Sequence, residues 1–172
     1  MSKWLLRGVV FATAMVIVRL FQGVLINASP GNAILFSVTL VAVFTIAVVI
    51  WGFIDGRADA RRSPDPDRRT DLAMIWLLAG LFAGIVSGAV SWIIGLFYKS
   101  IYVGGLLNEI TTFAAFTALL VFVAGVIAVT VGRWTVDRKA PPFVRRREGD
   151  EDRADTDVFA AVQPGPEEPA KS

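Results

Sequence analysis

The sequence predicts an all-α integral membrane protein, a bundle of four transmembrane helices, and three observations carry that reading. Hydrophobic residues make up 55% of the 172 positions and the mean hydropathy is +0.60, above the range of a soluble domain. Apolar stretches at 5–26, 33–54, 72–97 and 110–132 each approach the ~20 residues with which a helix crosses a bilayer. No segment between them nears the ~50 residues of an independent domain. Residues 1–147 therefore form one membrane domain, followed by a tail at 148–172. With no Cys and no His, the chain has no disulfide framework, thiolate metal site, imidazole base or His-activated nucleophile. No enzyme, metal or cofactor is expected, and a net charge of +2 gives no ground for nucleic acid.

The first stretch follows Lys3 and Arg7 and superficially resembles a secretory signal. Its apolar run exceeds the ~7 to 15 residues of a signal core, contains Arg19 and precedes three more spans, so it reads as helix 1. Asn27-Ala28-Ser29-Pro30-Gly31-Asn32 is a tight turn that predicts helices 1 and 2 as antiparallel neighbours. Helix 2 is expected to project into water to about Arg62, where Pro64 and Pro66 stop it. Thr70 or Asp71 then caps helix 3. The connector from Tyr98 to Glu109 carries Ile101, Tyr102, Val103, Leu106 and Leu107 and is expected to lie in the interface or fold back over the bundle. Helix 4 follows, and beyond it the acidic, Pro-rich composition of 148–172 predicts a disordered tail.

Charge placement predicts the orientation. Thirteen Lys and Arg flank the spans on one side, against Lys99 on the other, so both termini of this multi-pass chain face the cytoplasm. Trp4, Trp51, Trp76 and Trp134 fall at the inner ends, and Tyr98 and Tyr102 at the outer interface, as aromatic belts do. Trp51-Gly52-Phe53-Ile54-Asp55-Gly56-Arg57 and Gly132-Arg133-Trp134-Thr135-Val136-Asp137-Arg138 share a faint pattern that suggests either a duplicated hairpin or two similar helix ends.

Three groups of residues are candidates for function. Arg19 lies inside helix 1, where a charge costs on the order of 3 kcal/mol. Gln22 shares its face, and Glu109 opens helix 4 as a candidate counter-ion. This set reads as a substrate site for an anion, or as an arginine that snorkels to lipid phosphate or pairs structurally with Glu109. Gly80, Gly84 and Gly88, with Ser91 continuing their face, answered by Gly125 and Gly132 on helix 4, form a small-residue pattern that lets helices approach closely in lipid. It serves packing of helices 3 and 4, a dimer seam, or a sliding surface. Arg133, Arg138, Lys139, Arg145, Arg146 and Arg147 either hold anionic lipid or simply fix topology.

The runs Lys3-Trp4-Leu5-Leu6-Arg7-Gly8, Arg19 to Asn27, Trp51 to Arg61 and Asn108-Glu109 also resemble the small four-helix membrane proteins of actinobacteria grouped in a bacterial four-helix drug/metabolite transporter (DMT) family. The resemblance implies a plasma-membrane transporter. Because no span holds an acid, an anionic or zwitterionic cargo met by Arg19 suits this chain better than exchange of cationic drugs for protons. Two functions remain open: a small transporter, working as a homo-oligomer, or a non-transporting scaffold or accessory subunit. The second would bind another membrane protein through the Gly face of helix 3.

Overall fold

The computed structural model describes residues 3–97 and 105–140. Most of the outer connector, Arg145, Arg146, Arg147 and the tail at 148–172 lie outside the described residues. Four helices make up the fold: α1 (Lys3–Ala28), α2 (Ala33–Arg62), α3 (Leu72–Phe97) and α4 (Leu106–Asp137). Each is long and apolar enough to cross a membrane, and there is no strand among the described residues.

The helix ends follow from local chemistry. Pro30–Asn32 forms a single 3-10 turn that reverses the chain between α1 and α2. Ser63 adopts φ −127° and ψ 88° ahead of Pro64, the extended geometry that proline imposes on its predecessor. A second 3-10 turn, Pro66–Arg68, is held by the Asp65 carboxylate, which accepts from the Asp67 amide at 3.0 Å. Asp71 rather than Thr70 caps α3, because its carboxylate accepts from the Met74 amide at 3.0 Å and satisfies an otherwise unpaired first-turn donor. α4 starts at Leu106, earlier than the apolar stretch predicts, since Glu109 is neutralised by Arg19 and no longer marks the water boundary. It passes through a π-helical stretch, Glu109–Phe113, before continuing as α-helix over Ala114–Asp137.

Around the bundle the order is α1, α3, α4, α2. α1 packs along α3, α3 along α4 and α4 along α2, while the seam between α1 and α2 is thin. α1 and α2 are thus antiparallel neighbours, as the tight turn predicts, but each has its larger seam with another helix. The reason is steric: bulky rings, Phe11 against Phe44 at 5.9 Å and against Trp51 at 5.6 Å between centroids, separate these two helices, whereas glycines line the other seams of α4. With α1 beside α3 and α2 beside α4, the two hairpins are not related by a half-turn about the bundle axis.

A methyl group at Gly80 would stand 2.7 Å from the Ala118 carbonyl oxygen, and one at Gly88 the same distance from that of Glu109. At Gly84 it would overlap the Ala114 carbonyl. On the other side of α4, Gly52 meets Gly125 and Gly56 meets Val129. Helix 4 therefore has close contacts on two sides, and its small residues divide between them. Ala118 faces α3, Gly125 lies between the two neighbours with its open side against the Trp76 ring of α3 and its backbone against Gly52 of α2, and Gly132 faces the Phe53 and Arg57 backbone of α2. Phe11, Met15, Phe44, Val48, Trp76 and Val121 fill the centre, none more than 3% exposed. Trp76, assigned to the interfacial belt by sequence, is fully buried and lies 5.7 Å from Phe11. Its level along the helix suits a belt, but its face of α3 points at Gly125.

Candidate functional site

The predicted set Arg19, Gln22 and Glu109 gathers near the bundle end that carries the Pro30 turn. α1 supplies Arg19, which reaches across the bundle to α4 and grips Glu109 with two guanidinium nitrogens, the Nη2 to Oε1 bond being 3.2 Å and the Nη1 to Oε2 contact closer. The Arg19 guanidinium lies 4.0 Å from the centroid of the Phe113 ring, one turn on from Glu109. Glu109 is only 2% exposed. The glycine at Gly88 lets the Glu109 backbone press onto α3, and the wide π turn carries both Glu109 and Phe113 on the face that meets Arg19. A planar fork on a carboxylate with an aromatic ring beneath it is a strong arrangement for a desolvated pair. Gln22 does not join it. Its amide donates to the Ser37 hydroxyl at 2.8 Å, and that hydroxyl donates to the Ala33 carbonyl, also at 2.8 Å, so Gln22 bridges α1 to α2.

The opposite end, which carries the N terminus and the Ser63–Asp71 connector, holds a larger network that the sequence reading did not identify. Arg7 on α1 pairs with Asp55 on α2 at 2.7 Å and donates to the Lys3 carbonyl at 2.7 Å. Arg133 on α4 pairs with Asp59 on α2 at 2.6 Å and donates to the Thr70 carbonyl at 2.7 Å. Asp59 also accepts from the Thr70 amide at 3.3 Å. Arg69 in the connector forks onto Asp137 at 2.6 and 2.8 Å. The last pair lies beyond the apolar stretches, and the Arg69 hydrogen bond holds the Asp137 carboxyl below its ordinary range. Three pairs thus tie α1 to α2, α2 to α4, and the connector to α4. The available signal was spacing: Asp55 and Asp59 are one turn apart, offset from Gly52 and Gly56, which face α4.

Two of the residues predicted to meet lipid, Arg133 and Arg138, also have partners within the chain. Arg133 pairs with Asp59 and donates to the Thr70 carbonyl, which makes it an internal tie. Arg138 lies over the Trp134 ring at 4.7 Å, and Lys139 is exposed. The small-residue set Gly80, Gly84 and Gly88 is spent inside the bundle, as are Gly125 and Gly132. Ser91 is 1% exposed. The face expected to receive a partner helix is therefore occupied by α4.

Two surface recesses accompany these features. One of about 220 Å³ between α1 and α3 is lined by Val9, Ala12, Thr13, Val16, Phe82, Val86 and Val90. The other, about 330 Å³, lies on α2 beside Phe53, Ile54, Arg57, Ala58 and Arg61. Neither includes Arg19, Gln22 or Glu109. Against known proteins, no protein-family model matches the chain and no curated protein matches it.

Proposed function

We propose that the chain is a four-span integral protein of the plasma membrane, with both termini in the cytoplasm, that acts as a non-transporting accessory or scaffold subunit. The observation that supports this reading is the filled interior: Phe11, Met15, Phe44, Val48, Trp76 and Val121 occupy the axis along which a cargo would pass. Both ends are closed by ion pairs between helices, a construction suited to a fixed body. Its partner, a second copy or another membrane protein, meets lipid-facing side chains and not the glycines of α3. The orientation rests on the basic bias of the flanking segments.

A second reading, a small DMT-like transporter, is favoured by one feature. Arg19 and Glu109 form a desolvated pair beside a π-helical stretch, and such stretches recur at functional sites. In that case an anionic cargo displaces Glu109 from Arg19. Single cysteines at Gln22 and Leu20 separate the two, since the chain has no Cys of its own. The accessory reading expects equal, slow labelling of both by an impermeant thiol reagent applied outside. Rapid labelling at Gln22 alone, suppressed by Arg19→Gln, would instead establish a water path at the pair.

A further inference from the structure

Two arginines on α2 stand apart from the ion-pair network. Arg57 and Arg61, one turn apart, pair with no carboxylate among the described residues. Their neighbours on the same helix, Asp55 and Asp59, are engaged by Arg7 and Arg133. Gly52 and Gly56 hold another face of α2 against α4. Arg57 and Arg61 are left on a recess of about 330 Å³ whose remaining lining is Phe53, Ile54 and Ala58. The Arg57 guanidinium lies 5.4 Å from the Phe53 ring centroid, within cation–π range. Ile54 is 59% exposed and ends the apolar stretch of the helix.

The recess is therefore apolar at one end and doubly cationic at the other, along the helix axis. At ~1.5 Å per residue, Arg57 and Arg61 stand about 5 to 10 Å beyond Ile54, comparable with the ~5 to 8 Å of headgroup region on each side of a bilayer core. A phospholipid presents the same order: acyl chain, then phosphate. We infer that this recess binds an anionic phospholipid, its phosphate taken by Arg57 and Arg61 and its upper acyl chain lying on Phe53 and Ile54. Arginine suits the role because its donors match phosphate oxygens as a fork. The inference rests on the membrane-spanning reading proposed above.

The test is native mass spectrometry of the full chain in detergent with equal amounts of phosphatidylglycerol and phosphatidylcholine of the same acyl chains. Retention of phosphatidylglycerol over phosphatidylcholine by roughly thirtyfold is expected from two headgroup contacts. Arg57→Gln/Arg61→Gln should abolish the preference, and Lys3→Gln/Arg68→Gln, which removes the same charge at two exposed positions outside the recess, should keep it. Circular dichroism reports whether the first variant folds; if it does not, Arg61→Gln alone, at an exposed position, should lower the preference several-fold. An unchanged preference in the variant that folds, or an equal loss in both double variants, would overturn the site. Displacement of the lipid by millimolar glycerol phosphate would also overturn it, because a soluble anion would then suffice. Alkaline extraction of the chain from cell membranes tests the underlying reading separately: a chain that resists extraction yet shows no lipid preference defeats this inference alone.

Discussion

Arg19 and Glu109 show how a single pair of residues sets the character of the bundle. Two charges removed from water cost several kcal/mol, and their attraction offsets this only when the geometry is good; the two-point fork over Phe113 provides that geometry. Removing either partner breaks the fork and takes from the other the counter-charge it holds in a buried setting. Glu109→Gln should therefore lower stability in detergent by about 3 to 5 kcal/mol, and the double variant Arg19→Gln/Glu109→Gln should recover most of that loss. A double-mutant cycle on unfolding free energy measures the coupling, and strictly additive effects would show that Arg19 ignores Glu109. The sequence offered this pair as one of two options, because helical position places Arg19 below the end of its span. It did not reveal Arg7–Asp55, Asp59–Arg133 or Arg69–Asp137. Those arginines were counted for their side of the membrane, and a count carries no partner. Pairing Asp59 with Arg133 needed the rotation of α2 against α4, which the Gly52, Gly56 and Gly132 contacts set.

The seam between α3 and α4 is the element on which local and tertiary preferences agree most clearly. Glycine costs helix propensity, about 1 kcal/mol each, and in lipid close backbone packing returns that cost. Gly84→Leu should destabilise the fold by about 3 kcal/mol or more, because its side chain would meet the Ala114 carbonyl. Ile85→Leu, on a position 49% exposed, should be nearly neutral. Thermal unfolding in mild detergent compares the two, and equal tolerance would mean that α3 does not use this face. Steps of four residues made the seam legible. The division of α4 between α3 and α2 was not, because Gly132 has the same spacing from Gly125 as Gly125 has from Ala118. A seven-residue step drifts by only roughly 20°, and the row of small residues changes partner because Gly125 already lies between α3 and α2, against Trp76 on one and Gly52 on the other.

At the scale of the molecule, four helices and their approximate limits were readable from apolar length alone. Their ring order was not. Short connectors suggest sequential neighbours, but the thin seam between α1 and α2 arises from the Phe11, Phe44 and Trp51 rings that meet there. Orientation is a separate matter, and reporter fusions test it: those after Asn32 should report outside, and those after Pro66 the cytoplasm. A fusion after Pro66 that reports outside would invert the topology. Deleting 148–172, a segment too polar to join a bundle, should leave the melting temperature in detergent unchanged; a large fall would mean that the tail packs on the bundle.

The central claim is that the bundle is dry and filled, and its middle is the place to test it. Ser87 is fully buried on α3, donating to the Gly84 carbonyl at 3.2 Å, and cysteine is close to it in size. With Ser87→Cys as the sole thiol, labelling by a small impermeant maleimide is measured in intact cells, in inverted vesicles and after denaturation. A closed accessory bundle predicts protection from both sides and full labelling only on denaturation. Labelling of the native protein from either side would show that water reaches the bundle centre and would contradict the account.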